Sequence, residues 1–504
     1  MTARTTAAPE PDAGSPPPVG LTGMIGHSAV YWGGVMVSKL IGFLLIPIYT
    51  HHLTPADYGT LELVALTTDV MALIIGGRLV AAMFRFYHAA ADAAERRQVL
   101  ATSLTAMLIV GLLFFIVASF FTGDIARLLF GSSEHATLLQ IVFFTTALEL
   151  VQQIAMSELR IHERSRLFVA ITWIHLLLML VGSILFLVVF DWGVFGVLLA
   201  AAIATGVVGP IVIVSVARRT GLGLHPVLLQ RMVVYSLPLI PAALFLFVLH
   251  FADRYILNMF VSLEAVGLYA LAYKFGFLIS AVIAHPFSLI WGNRMHVLYR
   301  ETGRDRMYNQ VLSAYGIVLV GAGVGLSLFI DEVLALISPP VYHAAASLVP
   351  IIAAGYVLAA MNQLSMGPLY AESRTGWVAL ATAAGAGVNV VVNFLLVPFY
   401  GATGAAVATL IAFTAMAGVT QYLAARASTL RWDYHRAFAP LAVGVVIVVI
   451  GRSSDHGSIV MAIGFKLLLL LVVYPLALLL VRAVPVADLA EFWRWLRRSA
   501  VSAT

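Results

Sequence analysis

The stretch LAYKFGFLISAVIAHPFSLIW, residues 271–291, is apolar along almost its whole length and contains one lysine, Lys274. A helix needs about 20 such residues to cross the hydrocarbon core of a bilayer. Comparable runs recur from about residue 28 to residue 482 of a 504-residue chain. The chain is 61% hydrophobic and 11% charged, with a mean hydropathy of +0.98, whereas soluble domains carry about 25% charged residues. The composition therefore excludes a soluble globular protein.

Backbone groups in lipid must form their hydrogen bonds within their own segment, which favours helices. The strands of an outer-membrane barrel would be shorter, with alternating polarity. We predict an all-α polytopic membrane protein with about 14 transmembrane helices of about 20 residues each.

Basic residues are distributed unevenly between the two predicted sides of the membrane. Of the 29 lysines and arginines, 21 fall in segments on the side of the amino terminus and 3 on the opposite side, namely Arg127, Arg254 and Arg452. The positive-inside rule then places both termini in the cytoplasm. We therefore interpret the basic residues behind the pI near 9.4 as groups that contact lipid headgroups and set the orientation in the membrane. No nucleic-acid partner is expected.

The second half of the sequence repeats the first at an offset of 208 residues. FLVVFDWGVFGVLLA (186–200) aligns with FLLVPFYGATGAAVA (394–408), and Gly59 aligns with Gly267 at the same offset. Because six spans separate the equivalents, both halves enter the membrane in the same orientation. The pattern predicts two six-helix lobes related by a parallel pseudo-two-fold repeat around a central cavity.

The repeat and the loops together predict the domain boundaries. We expect a disordered cytoplasmic tail at 1–27, an N-lobe at 28–217, a cytoplasmic interlobe linker at 218–231, a C-lobe at 232–424, two extra helices at 425–482 and a cytoplasmic amphipathic tail at 483–504.

A signature in the second half resembles a known family. DRYILNMFVSLEAVGLYALAYKFG (253–276) is similar to the D-R-x-x-L and G-x-Y-x-x-A-Y-K pattern of Wzx-type polysaccharide flippases, and LIPIYTHHLTPADYGTLELV (45–64) and RFY (85–87) resemble the first hairpin of that family. These flippases belong to the multidrug/oligosaccharidyl-lipid/polysaccharide exporter superfamily. The resemblance implies a V-shaped cavity that opens to one side at a time and carries undecaprenyl-diphosphate-linked oligosaccharides to the periplasmic leaflet.

All three lysines lie inside apolar runs, where a lipid-exposed charge costs about 2.5–3.5 kcal/mol or more. Lys39 and Lys274 lie far from the predicted span ends, so we expect them to line the cavity and bind an anionic diphosphate. An ion pair between Lys274 and Asp69 is the alternative. Lys466 lies outside both lobes and is expected to snorkel to the interface.

The second predicted span contributes three further candidates. Arg78 and Arg85 are expected to contact the diphosphate, because a guanidinium donates bidentate hydrogen bonds; for Arg85 a snorkelling anchor is equally compatible. Asp69 is a candidate for ion coupling through a shifted pKa. A straight helix would turn Asp69 and Arg78 to opposite sides, so we expect a bend at Gly76–Gly77.

Polar and aromatic residues near the predicted cavity complete the candidate set. Asp253 and Arg254 are interpreted either as a solvated helix cap or as a gate between the lobes. Tyr31, Trp32 and Tyr273 are candidates for stacking on sugar rings.

The sequence has no cysteine, no nucleotide-binding loop and no metal-ligand spacing, so we predict a transporter without catalytic residues, metal or cofactor, and not an enzyme. The favoured function is a flippase for a lipid-linked oligosaccharide in the bacterial inner membrane, driven by a gradient or by the membrane potential. Expected partners are that substrate, membrane lipid and, as a candidate, a polysaccharide polymerase or another assembly protein. The alternatives are a lipid-linked peptidoglycan precursor flippase, a cation-coupled drug exporter and a non-transporting scaffold.

Overall fold

The structure, a computed structural model, describes residues 43–76, 78–454 and 458–483. The predicted tail at 1–27, most of the first predicted span and residues 484–504 of the predicted amphipathic tail lie outside these residues. Lys39, Tyr31 and Trp32 lie outside them as well.

Helices make up both halves of the described chain. The first half contains nine of them: α1 (43–52), α2 (Pro55–Ile75), α3 (Leu79–Ala89), α4 (Ala93–Phe120), α5 (Thr122–Phe130), α6 (Ala136–Ile161), α7 (Ser165–Ser183, extended by a π-helical turn at Ile184–Val189), α8 (Gly193–Thr220) and α9 (Pro226–Ser236). The second half contains α10 (Leu239–Phe260), α11 (Leu263–Ile279, followed by a π-helical turn at Ser280–Ala284), α12 (His285–Leu298), α13 (Arg304–Ile337), α14 (Val349–Ala371), α15 (Thr375–Ala427), α16 (Tyr434–Ser453), α17 (Ile459–Leu468) and α18 (Tyr474–Leu480).

Within the described residues, 12 helical segments are long and apolar enough to cross a membrane. One of them, α15, spans 53 residues and is folded at Gly401, where φ is 53° and ψ is −133°, so it supplies two of the predicted spans. The described helices thus account for the second to the fourteenth predicted span. The prediction of an all-helical, multi-pass membrane protein is confirmed.

The turn glycines of the repeat adopt matching conformations. Gly193, the first residue of α8, has a φ of 55°, and its equivalent Gly401 has a φ of 53°. This left-handed region is readily open only to glycine. The sequence repeat therefore corresponds to a repeat of backbone conformation.

The second predicted span begins and bends for local reasons. Thr54 and Asp57 form a reciprocal capping box, and Pro55 occupies the first turn of α2, a position where its missing amide hydrogen costs nothing. The span then breaks at Gly76, as expected, and Arg78 adopts a left-handed conformation with a φ of 57° before α3 begins.

The two lobes pack together at one end of the bundle, here called the closed end. There α2 packs along α11, and one apolar core containing Tyr58 and Leu63 of α2 continues into Val266 and Tyr269 of α11. The span of α2 continues as α3, which packs on α4 and α9. The span of α11 continues as α12, which packs on α13 and α14. The lobes therefore diverge from the closed end.

Two short helices, α5 and α9, were not predicted from the apolar pattern. Helix α9 begins inside the segment predicted as a linker, and Met232 of α9 is buried in the core of the first lobe. A break at Leu237–Pro238 separates α9 from α10. The helix is interrupted at Pro238 because this proline lacks an amide hydrogen and cannot continue the backbone hydrogen bonds of α9.

The last two spans are tied to α13 by ion pairs. Lys466 is 7% exposed, and its Nζ lies 2.5 Å from Oε1 of Glu332. Arg452 Nη1 lies 3.1 Å from Oδ2 of the adjacent Asp331. The prediction that Lys466 snorkels to the interface is wrong, because a carboxylate 134 residues earlier in the chain lies within reach of the ammonium.

Candidate functional site

The closed end is held by two glycines that touch across the seam between the lobes. A Cβ atom on Gly59 would overlap the carbonyl oxygen of Leu263, and a Cβ atom on Gly267 would overlap that of Pro55. Either added Cβ atom would also lie 3.0 Å from the backbone nitrogen of the other glycine. The backbones of α2 and α11 therefore meet directly, which brings the side chains flanking the glycines into contact.

Lys274 lies beside this crossing and reaches across the seam. Its Nζ donates a 2.7 Å hydrogen bond to the hydroxyl of Tyr58 on α2 and lies 4.6 Å from the centre of the Tyr58 ring. The Lys274 side chain stays exposed at this crossing of the two lobes, as expected of a residue that faces a space between them. Its partner is Tyr58, and the predicted alternative of an ion pair with Asp69 is not observed.

Arg254 forms the second cationic element of the seam. It is 1% exposed, and its Nη1 lies 2.8 Å from Oδ1 of Asp253. Its guanidinium carbon lies 3.7 Å from the ring centre of Tyr273 and 5.1 Å from that of Tyr269. Asp253 is also fully buried, so the interpretation of this dipeptide as a solvated cap is wrong.

Asp253 is fixed within the second lobe by hydroxyl donors. Its Oδ2 accepts hydrogen bonds from Tyr269 at 2.5 Å and from Thr409 at 3.0 Å. Asn389 and Asn393 are buried on the neighbouring α15, and Asn393 donates to the Asn389 carbonyl at 2.8 Å. Asp253 thereby has partners on both oxygens, and buried charges require such partners.

Glu62 connects Arg254 to the first lobe. Its Oε1 lies 3.6 Å from Nε of Arg254, and its side chain is 17% exposed. Tyr58 and Glu62 are four residues apart on α2 and so share one helix face. The two residues that the first lobe offers to the cations of the second lobe therefore project from the same face of α2. Glu62 lies within the stretch 45–64, but its role could not be predicted from sequence because it depends on a partner 192 residues away.

Further polar contacts cross the seam around these residues. They are Tyr342 Oη to the Leu53 carbonyl at 2.9 Å, Thr50 Oγ1 to the Ile337 carbonyl at 3.3 Å, Thr67 Oγ1 to Tyr255 Oη at 3.1 Å, and Asn258 Nδ2 to the Leu129 carbonyl at 2.6 Å. Burial raises the pKa of Tyr342, so this phenol remains a neutral donor.

Tyr273 does not face open space. It is 4% exposed, one face of its ring is covered by Arg254, and its hydroxyl lies 3.4 Å from Nδ1 of His250. The prediction that Tyr273 stacks on a sugar ring does not fit this geometry, because a sugar would need a free ring face.

Arg78 and Arg85 lie too far from Lys274 to share one diphosphate with it. Arg78 is 20 residues beyond Tyr58 on the same span, which corresponds to about 30 Å at a rise of about 1.5 Å per residue. Arg78 is exposed, and the Arg85 guanidinium lies 4.1 Å from the ring centre of Tyr235 on α9. This separation along the span argues against a joint site of Arg78 and Lys274 on one diphosphate.

Asp69 lies on an exposed position of α2 in the first lobe. Glu149 of α6 is within electrostatic range of it, and Thr205 of α8 lies 3.5 Å from Glu149 Oε1 and 3.1 Å from Nε2 of His175. These two carboxylates come from different helices of the first lobe, and both are exposed. In the part of the chain that the structure describes, no group of three or more histidines, aspartates or glutamates is placed to hold a metal ion.

Comparisons with known proteins agree with this architecture. A sequence profile of the family described as polysaccharide biosynthesis protein matches residues 27–291. No curated protein matches the chain. Among solved structures, the lipid II flippase MurJ in an inward closed conformation is similar with a TM-score of 0.72 and 13% identity, over 90% of this chain and 98% of that one.

Two solved structures of multidrug resistance transporters of the MATE family, in the MOP superfamily, are also similar. The inward-facing structure gives a TM-score of 0.63 at 15% identity, over 78% of this chain and 95% of that one. The outward-facing structure gives 0.52 at 14% identity, over 81% and 96%. The chain thus has the fold shared by MurJ and the MATE transporters.

Proposed function

Because the chain belongs to the polysaccharide biosynthesis protein family, we propose that it is a flippase that moves an undecaprenyl-diphosphate-linked oligosaccharide from the cytoplasmic to the periplasmic leaflet by alternating access. The observation that carries the proposal is Lys274, a cation exposed between the lobes and bonded across their seam. The reaction is transport, and no covalent chemistry is assigned to the chain.

The chemistry of the substrate matches this position. A sugar diphosphate cannot cross hydrocarbon unaided, and an unpaired ammonium in lipid is itself unfavourable. A cavity lined by Lys274 supplies the charge that the diphosphate needs while the polyprenyl chain stays in the bilayer. Lys39, on the predicted first span, is proposed as a second contact with the diphosphate.

Alternating access requires the closed end to open. The distribution of arginines favours a periplasmic closed end with both termini in the cytoplasm. Opening would separate Lys274 from Tyr58 and Arg254 from Glu62, so Asp253 and Arg254 are proposed as part of the gate. Asp69 is proposed as the ion-coupling residue, because it is an exposed carboxylate on a membrane-spanning helix of the first lobe.

A lipid-linked peptidoglycan precursor is the second candidate substrate, favoured by the similarity in fold to the lipid II flippase MurJ. Both substrates are polyprenyl diphosphates, so the cation is expected to serve either one. A cation-coupled drug exporter fits less well, since Lys274 and Arg254 would repel a cationic drug.

The test is transport by the full-length protein in proteoliposomes that contain either lipid-linked oligosaccharide or peptidoglycan precursor. Lys274→Met should abolish movement of the headgroup across the bilayer, and Lys274→Arg should retain it. Replacing the native gene with the same variants should change export of surface polysaccharide in the same way at equal protein abundance. Normal transport by Lys274→Met would contradict the role of the charge, and transport of neither lipid by the unmodified protein would favour the scaffold.

A further inference from the structure

Glu62 has an unusual position for a carboxylate at a lobe interface. It is the residue that the first lobe places against the buried Arg254, at 3.6 Å from Nε, and this Nε atom has no hydrogen-bond acceptor. A normal N–H···O bond has a donor–acceptor distance near 2.9 Å. The contact is therefore an ion pair without a hydrogen bond, and it leaves one donor of Arg254 unsatisfied.

The charges at the seam divide unequally between the lobes. Arg254 and Lys274 belong to the second lobe, and Asp253 of the same lobe is already engaged by Arg254, Tyr269 and Thr409. Glu62 is also within electrostatic range of Lys274. Among these described residues, the two cations are matched by two anions only when Glu62 of the first lobe is included.

We propose that Glu62 is a surrogate for the anionic group of the substrate: it balances Arg254 and Lys274 while the closed end is shut, and the diphosphate of the substrate displaces it. This inference rests on the proposed function. Glu62 is thus a positioning residue that sets both the affinity for the anion and the stability of the closed end.

Displacement would weaken the seam at two points. Lys274 would turn from the Tyr58 hydroxyl to the incoming diphosphate, and Glu62 would lose its attraction to the second lobe. Both points lie on one face of α2, one helical turn apart, so a single anion acts on both. The glycine contact would then remain without the polar bonds beside it, and the lobes could separate.

The first experiment measures binding of farnesyl diphosphate, a short polyprenyl diphosphate, to the purified full-length protein in detergent. Removing the competing carboxylate in Glu62→Gln should tighten binding about tenfold, which corresponds to about 1.4 kcal/mol. Glu62→Asp should restore the affinity toward that of the unmodified protein. The matched control is Glu264→Gln, which removes an exposed carboxylate at the start of α11 and should leave binding unchanged.

The second readout is the separation of the lobes at the closed end. The chain has no cysteine, so spin labels can be attached at His52→Cys and Val341→Cys, two exposed positions on opposite lobes. Farnesyl diphosphate should lengthen the distance between the labels in the otherwise unmodified protein. Glu62→Gln should show the longer distance without ligand, and Glu264→Gln should not.

The outcomes separate the two proposals. If the protein binds farnesyl diphosphate and loses binding in Lys274→Met, but Glu62→Gln changes neither affinity nor distance, the surrogate role is overturned and the flippase proposal stands. If the protein with native Lys274 and Glu62 does not bind the diphosphate, both proposals fail. Tighter binding in Glu62→Gln without a change in distance would overturn the gating part of the inference alone.

Discussion

Gly59 on α2 and Gly267 on α11 occupy equivalent positions in the two halves of the chain, and they lie against each other at the closed end. A Cβ atom on Gly59 would overlap the carbonyl oxygen of Leu263, four residues before Gly267. A Cβ atom on Gly267 would overlap the carbonyl oxygen of Pro55, four residues before Gly59. The contact is therefore symmetric, since each glycine meets the other helix in the same way.

An alanine at either glycine should push α2 and α11 apart. Overpacking of this kind costs typically about 1–3 kcal/mol, and here the atoms that must move belong to the backbone. We expect Gly59→Ala and Gly267→Ala to reduce transport strongly and to lengthen the distance between labels at His52→Cys and Val341→Cys. Gly206→Ala is the control, since a Cβ atom there would meet no other atom within 4 Å. A normal label distance in both variants would contradict a tight crossing.

Tyr58→Phe isolates the hydrogen bond from the charge. The variant keeps the ring that lies 4.6 Å from the ammonium but removes the hydroxyl acceptor, and a hydrogen bond to a charged group contributes about 1.5–3 kcal/mol. We expect a less stable closed end with transport retained within about tenfold, in contrast to the loss expected for Lys274→Met. Transport rates in proteoliposomes measure both effects. Equal loss in the two variants would mean that the bond, and not the charge, is required.

Breaking the Lys466–Glu332 pair should destabilise the attachment of the last two spans. Removing one partner of a buried ion pair costs about 3–5 kcal/mol, whereas replacing both partners can be nearly neutral. Lys466→Met and Glu332→Gln should each lower the midpoint of thermal unfolding in detergent, and the double variant should recover much of the loss. An additive effect of the two substitutions would show that the residues act independently.

Arg78→Gly separates backbone strain from side-chain function. Arg78 has a φ of 57°, a left-handed conformation that costs a non-glycine residue roughly 1–2 kcal/mol. The glycine variant should therefore unfold at a higher temperature. Transport by Arg78→Gly is compared with that of Arg78→Ala, which keeps the strain and loses the charge. Unchanged transport in both would exclude Arg78 from the translocation path, and no stabilisation by glycine would contradict the strain.

Hydropathy and the internal repeat were sufficient to predict the membrane class, the helical architecture and the pairing of Gly193 with Gly401. These features follow from properties that each segment carries by itself, namely length, polarity and turn chemistry. The bend near Gly76 was predicted for the same reason, because flexible residues mark where a helix is interrupted.

The composition of the candidate site could not be predicted in this way. Lys274 was recognised as a charge in an apolar run, but its partner Tyr58 lies 216 residues away. Residue type alone suggests that Arg78 and Lys274 share a site, although 20 residues of the span separate Arg78 from Tyr58, the partner of Lys274. The error on Lys466 has the same origin, since position within a span says nothing about a carboxylate on a neighbouring helix.

The symmetric glycine contact also makes the placement of charge informative. At the repeat offset of 208, Lys274 corresponds to Leu66, Arg254 to Ile46 and Glu62 to Ala270. An ancestral unit of half this length would have formed a homodimer through this glycine. The two copies would then have met through identical surfaces. The present chain keeps that backbone geometry but carries a charge on only one side of each of these three equivalent pairs, so two halves of similar backbone present different surfaces to each other.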